Sequence, residues 1–202
     1  MKPTDILRTE HQVIEQVLNC LEKMSERTLA EKKLDAVSAR QVVDFLRTFA
    51  DRCHHGKEEV HLFPMMESKG VPRQGGPTGV MLMEHDQGRF HIGEMDKAID
   101  AAATGDGVAV KRFVEHAHAY LHLLRDHIYK ENNILFNMAD QLMSETDQKQ
   151  LMEQFTHVEH EEMGTGTHEK YLGIARELAE KYGVADVASA TANSHAGHCC
   201  HH

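Results

Sequence analysis

The stretch His54-His55-Gly56-Lys57-Glu58-Glu59-Val60-His61-Leu62-Phe63 aligns without a gap to His127-Ile128-Tyr129-Lys130-Glu131-Asn132-Asn133-Ile134-Leu135-Phe136, sharing His, Lys, Glu, Leu and Phe at the same offsets. Glu10-His11 and Glu84-His85 match in the same way. Each half of the chain thus carries a helix with one His, followed by a helix with His-x-x-x-Glu. Two such halves related by a pseudo-twofold axis form an antiparallel four-helix bundle, with two half-sites meeting at its centre. The predicted fold class is all-α, such a bundle with additional C-terminal helices.

Around this repeat, Gly and Pro are sparse inside long amphipathic runs and concentrated between them, and no segment reads as a strand. The periodicity predicts helices over about 4–27, 28–69, 78–103 and 108–143. The second is expected to open on a capping box at Thr28-Leu29-Ala30-Glu31. The breaker Gly70-Val71-Pro72-Arg73-Gln74-Gly75-Gly76-Pro77 precedes the third, and Gly105 and Gly107 follow it. Ser144-Glu145-Thr146-Asp147 reads as the cap of a fifth helix, which Gly164-Thr165-Gly166 divides from a sixth ending near Tyr182. The expected organisation is a bundle over 1–143, a helical extension packing on it over 144–183, and a flexible His- and Cys-rich tail over 184–202.

The 202 residues include 22 Lys+Arg against 32 Asp+Glu, a net charge of −10 that argues against nucleic-acid binding and against a polybasic membrane anchor. No run approaches the ~18 apolar residues of a membrane span, and Met1-Lys2-Pro3-Thr4 does not open a signal peptide. Four cysteines, two adjacent at Cys199-Cys200, do not form a secreted disulfide framework in a chain of this length. A cytoplasmic protein with reduced thiols is expected.

Seventeen histidines are the unusual figure. A ligand for a buried ion must lie on the apolar stripe of its helix, where residues recur every three or four positions. His11 lies on Leu7, Ile14, Leu18 and Leu21. His85 lies on Met81, Gly88, Ile92, Met95 and Ile99. His127 and Glu131 lie on Phe113, Ala117, Tyr120, Leu124, Ile134, Met138 and Leu142. The second helix offers His54/Glu58 and His55/Glu59, about 100° apart, so that one pair alone is expected to face the centre. The repeat and the flanking Val43, Leu46, Ala50, Leu62 and Met65 favour His54/Glu58, with His55/Glu59 as the alternative. Four histidines and two glutamates on four core stripes are costly to bury without a cation. Imidazole and carboxylate donors suit iron, manganese or zinc, and two carboxylates able to bridge favour a two-metal centre.

At these residues the sequence resembles the hemerythrin-like family, or HHE cation-binding domain, in its pattern His, His-x-x-x-Glu, His, His-x-x-x-Glu. The resemblance covers about 4–143 and extends to the flanks Lys57-Glu58, Leu62-Phe63-Pro64 and Glu84-His85-Asp86. It implies a non-haem di-iron centre, two iron ions of the oxygen-bridged type, held by His11, His54, Glu58, His85, His127 and Glu131, with the glutamates bridging. Family members bind O2 reversibly, sense oxygen or iron, respond to NO, or reduce peroxide or NO.

Two departures accompany the resemblance. Oxygen carriers of the family have a second His where this chain has Met81, and an Asp five residues after the last ligand His where this chain has Glu131 four after His127. The family's fifth His must come from elsewhere, or a coordination position stays open. His168, on the face of Tyr171, Ala175, Leu178 and Tyr182, is included in the predicted metal set, with Glu162 and His61 as further candidates. His118 and His122 face solvent, and Tyr120 reads as core. The tail His195-Ala196-Gly197-His198-Cys199-Cys200-His201-His202 carries ligands that suit copper, nickel or zinc. The expected function is binding of O2 or NO for sensing, storage or detoxification. The alternatives are an enzyme that reduces peroxide or NO or oxidises Fe(II), and a structural zinc bundle.

Overall fold

The computed structural model describes residues 1–159, 164 and 166–187, and among these residues there is no strand. Glu162 and the tail residues from 188 onward lie outside the described residues. Four rods form the bundle. The first is α1 (Pro3–Glu31). The second starts as α2 (Ala36–Phe45), runs through the π-helical stretches Leu46–His55 and Glu58–Leu62, and ends as α3 (Phe63–Ser68). The third is α4 (Pro77–Ala103). The fourth joins α5 (Gly107–Lys130) through π-helical Glu131–Leu135 to α6 (Phe136–Leu142). Two further helices, α7 (Glu145–His157) and α8 (Thr167–Tyr182), pack against the rods.

Cross-rod pairs fix the directions. Thr4 donates to Asp140, Arg8 to Asn137, and Arg125 reaches back to Glu22, so α1 runs antiparallel to α5 and α6. Arg47 with Asp96 and Arg89 with Asp51 set the second rod against α4 in the same sense. Arg112 pairs with Glu94 and Lys130 with Glu84, which makes α4 and α5 antiparallel.

The first connection differs from the sequence expectation. Thr28 opens no helix; its hydroxyl donates to the Met24 carbonyl one turn back, at 2.8 Å, and α1 continues to Glu31. Lys32 then takes a left-handed conformation (φ 53°), and Asp35 caps α2 by accepting from the Val37 and Ser38 amides. An Asp followed by exposed backbone amides is the stronger start signal. The Ser144 cap of α7 forms as expected, with Asp147 completing a capping box.

Apolar side chains sort into two buried clusters. The larger gathers Ile14, Leu18, Phe45, Phe49, Met95, Phe113 and Leu121 with Tyr171 and Leu178 of α8. The smaller joins Leu7, Leu62, Phe63, Met81, Leu135 and Phe136 to Leu151 and Phe155 of α7. The two clusters do not include the buried polar residues His11, His54, His55, Glu58, His85, His127 and Glu131, which occupy the intervening turns of all four rods.

The π-helical stretches decide which residues face inward there. The Phe63 amide bonds to the Glu58 carbonyl and the Phe136 amide to the Glu131 carbonyl, each five residues back. Each such turn holds one residue more than an α-turn, so the inward face beyond it moves on by one position. Phe136 and Ala139 are therefore buried, whereas Ile134 and Leu142, predicted for the core, are exposed. Pro64 follows the first of these turns, in α3, and Asn137 stands at the equivalent position after the second, so proline is not their shared cause.

Candidate metal centre

Seven side chains meet in the polar layer. Donor atoms of His11, His54, Glu58 and Glu131 lie within 4.8 Å of one another, as do those of His55, Glu58, His85 and His127. Glu58 belongs to both groups: one oxygen is 3.6 Å from His54 Nε2 and the other 3.6 Å from His85 Nε2. Glu131 spans them likewise, with its oxygens 3.2 Å from His11 Nε2 and 3.2 Å from His127 Nε2. Each carboxylate therefore reaches a histidine of either group, the geometry of a bridging ligand.

The structure thus brings together six of the seven residues predicted from sequence, and adds His55. The favoured pair, His54/Glu58, enters the cluster whole; of the alternative pair His55 alone joins it, both histidines being buried at the end of π-helical Leu46–His55, while Glu59 turns to His85 Nδ1. His55 stacks on His85, with ring centroids 3.8 Å apart. His168 is not brought to this cluster. It starts α8 beside Phe49, and its donor atoms group with Glu10 and Glu159, where the buried Lys57 ammonium already bonds both carboxylates. His61 is half-buried and belongs to neither group. His118 and His122 are exposed, and Tyr120 is core.

An outer ring of partners fixes every imidazole. His54 Nδ1 donates to Glu10 at 2.9 Å and His127 Nδ1 to Glu84 at 2.8 Å. His85 Nδ1 donates to Glu59 at 2.7 Å, and His11 Nδ1 to the Asn132 amide oxygen at 2.9 Å. His55 Nδ1 faces Asp51 at 3.3 Å. Phe63 stacks on His85, and Phe136 on His11. Lys57 and Lys130 pair with Glu10 and Glu84 respectively. The internal repeat contained this ring as well: Glu10 and Glu84 precede the matched histidines, Glu59 and Asn132 are matched positions, and so are the two lysines and the two phenylalanines. The partners of the far nitrogens were thus present in the sequence, at matched positions beside the histidines.

With each Nδ1 proton committed to an oxygen, each Nε2 presents a bare lone pair to the centre. His54 Nε2 lies 2.8 Å from His11 Nε2, and His85 Nε2 lies 3.1 Å from His127 Nε2. All four oxygens of Glu58 and Glu131 are buried without a hydrogen-bond donor. Lone pairs and carboxylates collected in this way require a cation between them. Without a metal, protons serve. Although burial opposes charge on it, the adjoining Glu131 and Glu84 carboxylates hold His127 up to about 9. Burial, with neighbouring imidazoles, pushes His54, His55 and His85 down to about 3. Burial and the facing Glu131 raise Glu58 well above the usual carboxylate range, while His127 and His11 hold Glu131 below it against its own burial. The donor set, neutral imidazoles backed by carboxylates around two spanning glutamates, fits a divalent or trivalent pair of first-row metals.

The match of a family model, the hemerythrin HHE cation-binding domain, spans residues 2–139. The chain belongs to the hemerythrin HHE family. Similar relatives are an uncharacterized protein of Mycobacterium bovis and two of Mycobacterium tuberculosis, each 24% identical over 189 residues, covering 94% of this chain and 73% of the relative. No solved structure matches. The buried His and Glu clusters fit the cation binding of the HHE family, and no helix among the described residues is long and apolar enough to cross a membrane.

Proposed function

We propose that this HHE protein is a cytoplasmic non-haem di-iron protein that takes O2 or NO at its two-metal centre, in sensing, storage or detoxification. The observation that supports this reading is the convergence of five Nε2 lone pairs on four carboxylate oxygens that have no donor. His55, His85 and His127 would hold one ion, His11 and His54 the other, and Glu58 and Glu131 would span them. Bound iron supplies a redox-active Lewis acid able to accept a diatomic ligand. The chain's own contribution is to fix the imidazole tautomers through Glu10, Asp51, Glu59, Glu84 and Asn132, and to cover the site with Phe63 and Phe136.

Elemental analysis of the full chain beside a Glu58→Ala, Glu131→Ala double variant separates the centre from the His- and Cys-rich tail, which both proteins share. The expected difference is about two iron ions per chain, with an absorption spectrum that changes on exposure to O2 or NO. A difference of two zinc ions, with no response to either gas, would leave the structural zinc bundle in place of this function. Steady consumption of peroxide or NO by the iron-loaded protein would make it an enzyme instead.

A further inference from the structure

The outer ring that orients the five histidines is not uniform. His54, His55, His85 and His127 each direct Nδ1 at a carboxylate: Glu10, Asp51, Glu59 and Glu84. His11 alone among them meets a neutral amide, Asn132 Oδ1 at 2.9 Å. A carboxylate behind an imidazole raises its basicity toward the metal, and loss of such a partner costs ~10–100-fold in metal affinity. The amide stands at the position that the repeat fills with Glu59 in the other half. The same side of the centre also carries two imidazoles against three, its fourth donor being the second carboxylate, Glu131.

A second, independent observation lies on that side. A cleft of about 620 Å³ opens between α1 and α5, beneath residues 184–187, and its lining includes both His11 and Asn132. Its polar wall is formed by Arg8, Gln12, Glu15 and Gln16. His11 is itself 2% exposed, so the cleft ends at the ligand rather than exposing it.

We infer that Asn132 is a positioning residue that makes the two metal positions unequal, so that the His11–His54 position fills last, empties first and exchanges its ion through this cleft. This rests on the two-metal reading above. The carboxylate-backed His55–His85–His127 position is the retained one. Asn132 acts through His11 and touches no metal; its neutrality leaves His11 the weakest of the five donors.

The test is stepwise Co(II) titration of the metal-free full chain against a competing chelator, followed by visible absorption. The Glu58→Ala, Glu131→Ala variant is subtracted to remove the tail and other surface donors. Wild type should bind two ions in steps at least ~10-fold apart. Asn132→Asp, which restores a carboxylate to the position, should tighten the weaker step ~10-fold or more and leave the stronger within roughly threefold. Glu59→Gln, the mirror change, should weaken the stronger step by a similar factor. Release of the first ion to excess chelator should slow in Asn132→Asp. Two ions bound in equal steps, or two unequal steps unmoved by Asn132→Asp, would overturn the inference while leaving a two-metal centre intact. One ion or none above the subtracted background would overturn the two-metal reading itself. Circular dichroism of each variant establishes that the fold is retained.

Discussion

The two halves of the repeat, α1 to α3 and α4 to α6, share every part needed to orient a pair of imidazoles and differ in what surrounds them. Both supply a Glu-His pair, a His-x-x-x-Glu turn, a lysine on the outer glutamate and a phenylalanine roof. The partners are exchanged: Glu59 of the first half holds His85 of the second, and Asn132 of the second holds His11 of the first. Neither half completes a site alone. Three matched positions bear on the site: His55 stands against Ile128, Glu59 against Asn132, and the wholly buried Lys57 against a Lys130 whose side chain is about one third exposed. The repeat accounts for two glutamates that each span both donor groups, and these departures make the two groups chemically distinct.

The matched pair His54 and His127 offers the largest test of that contrast. In the metal-free chain, burial and the neighbouring His11 push His54 down to about 3, and burial likewise carries His55 and His85 to about 3. Between pH 6.5 and 3 the unfolded chain takes up protons that these three folded imidazoles refuse. Stability therefore falls with pH across that window, by up to ~1.4 kcal/mol per unit for each imidazole. His127, held up to about 9, behaves oppositely: its contribution is present below 6.5 and is lost as pH rises through 9. Denaturant unfolding of metal-free protein at pH 4.5, 6.5 and 8.5 should show greatest stability near 6.5 and the steeper loss on the acid side. A flat acid limb would mean that His54, His55 and His85 are not buried neutral.

The two lysines sharpen the comparison next. Lys57 is wholly buried and bonds Glu10 and Glu159, tying the segment just past α7 to the partner of His54. Lys130 bonds Glu84 at the edge of the bundle. Lys57→Met leaves the Glu10 carboxylate buried beside Glu159 with its cation gone, a change costing about 3–5 kcal/mol. Lys130→Met removes a partly solvated pair and should cost ~1 kcal/mol or less. Equal losses in the two variants, measured by urea unfolding, would show that Glu159 adds nothing to the first half.

Much of this arrangement was legible before the coordinates. The repeat carried the bundle, and the stripes Leu7, Ile14, Leu18 and Met81, Ile92, Met95 are buried as their 3.6-residue spacing requires. Six of the clustered residues follow from the same spacing. The rest was hidden for one physical reason: periodicity assumes 100° per residue, and the stretches at Leu46–His55, Glu58–Leu62 and Glu131–Leu135 do not keep it. A hydrogen bond five residues back leaves no compositional mark comparable to Gly or Pro, so the inward turn of His55 beside His54 and Glu58 carries no signal in the sequence. His168 illustrates a different limit, since an amphipathic face on α8 shows that the helix packs and does not show against which end of the bundle.

That register shift can be tested directly at two residues of the fourth rod. An unbroken α-helix from Glu131 would keep Ile134 within about 60° of it and turn Phe136 about 140° away, toward solvent. In the structure Phe136 is 0% exposed among Leu7, Phe63 and Leu135, and Ile134 is 54% exposed. Phe136→Ala should therefore cost about 3–5 kcal/mol in unfolding free energy, the transfer and cavity cost of a buried phenylalanine. Ile134→Ala should stay within ~0.5 kcal/mol, because an exposed apolar side chain has little left to lose. The first half supplies the internal control: Phe63 is buried in the same cluster and His61 holds the position matched to Ile134. Phe63→Ala should match Phe136→Ala if both glutamate turns are π-helical. If Ile134→Ala proves the costlier of the two fourth-rod changes, that rod continues as an ordinary α-helix and the twofold relation between the halves stops at Glu131.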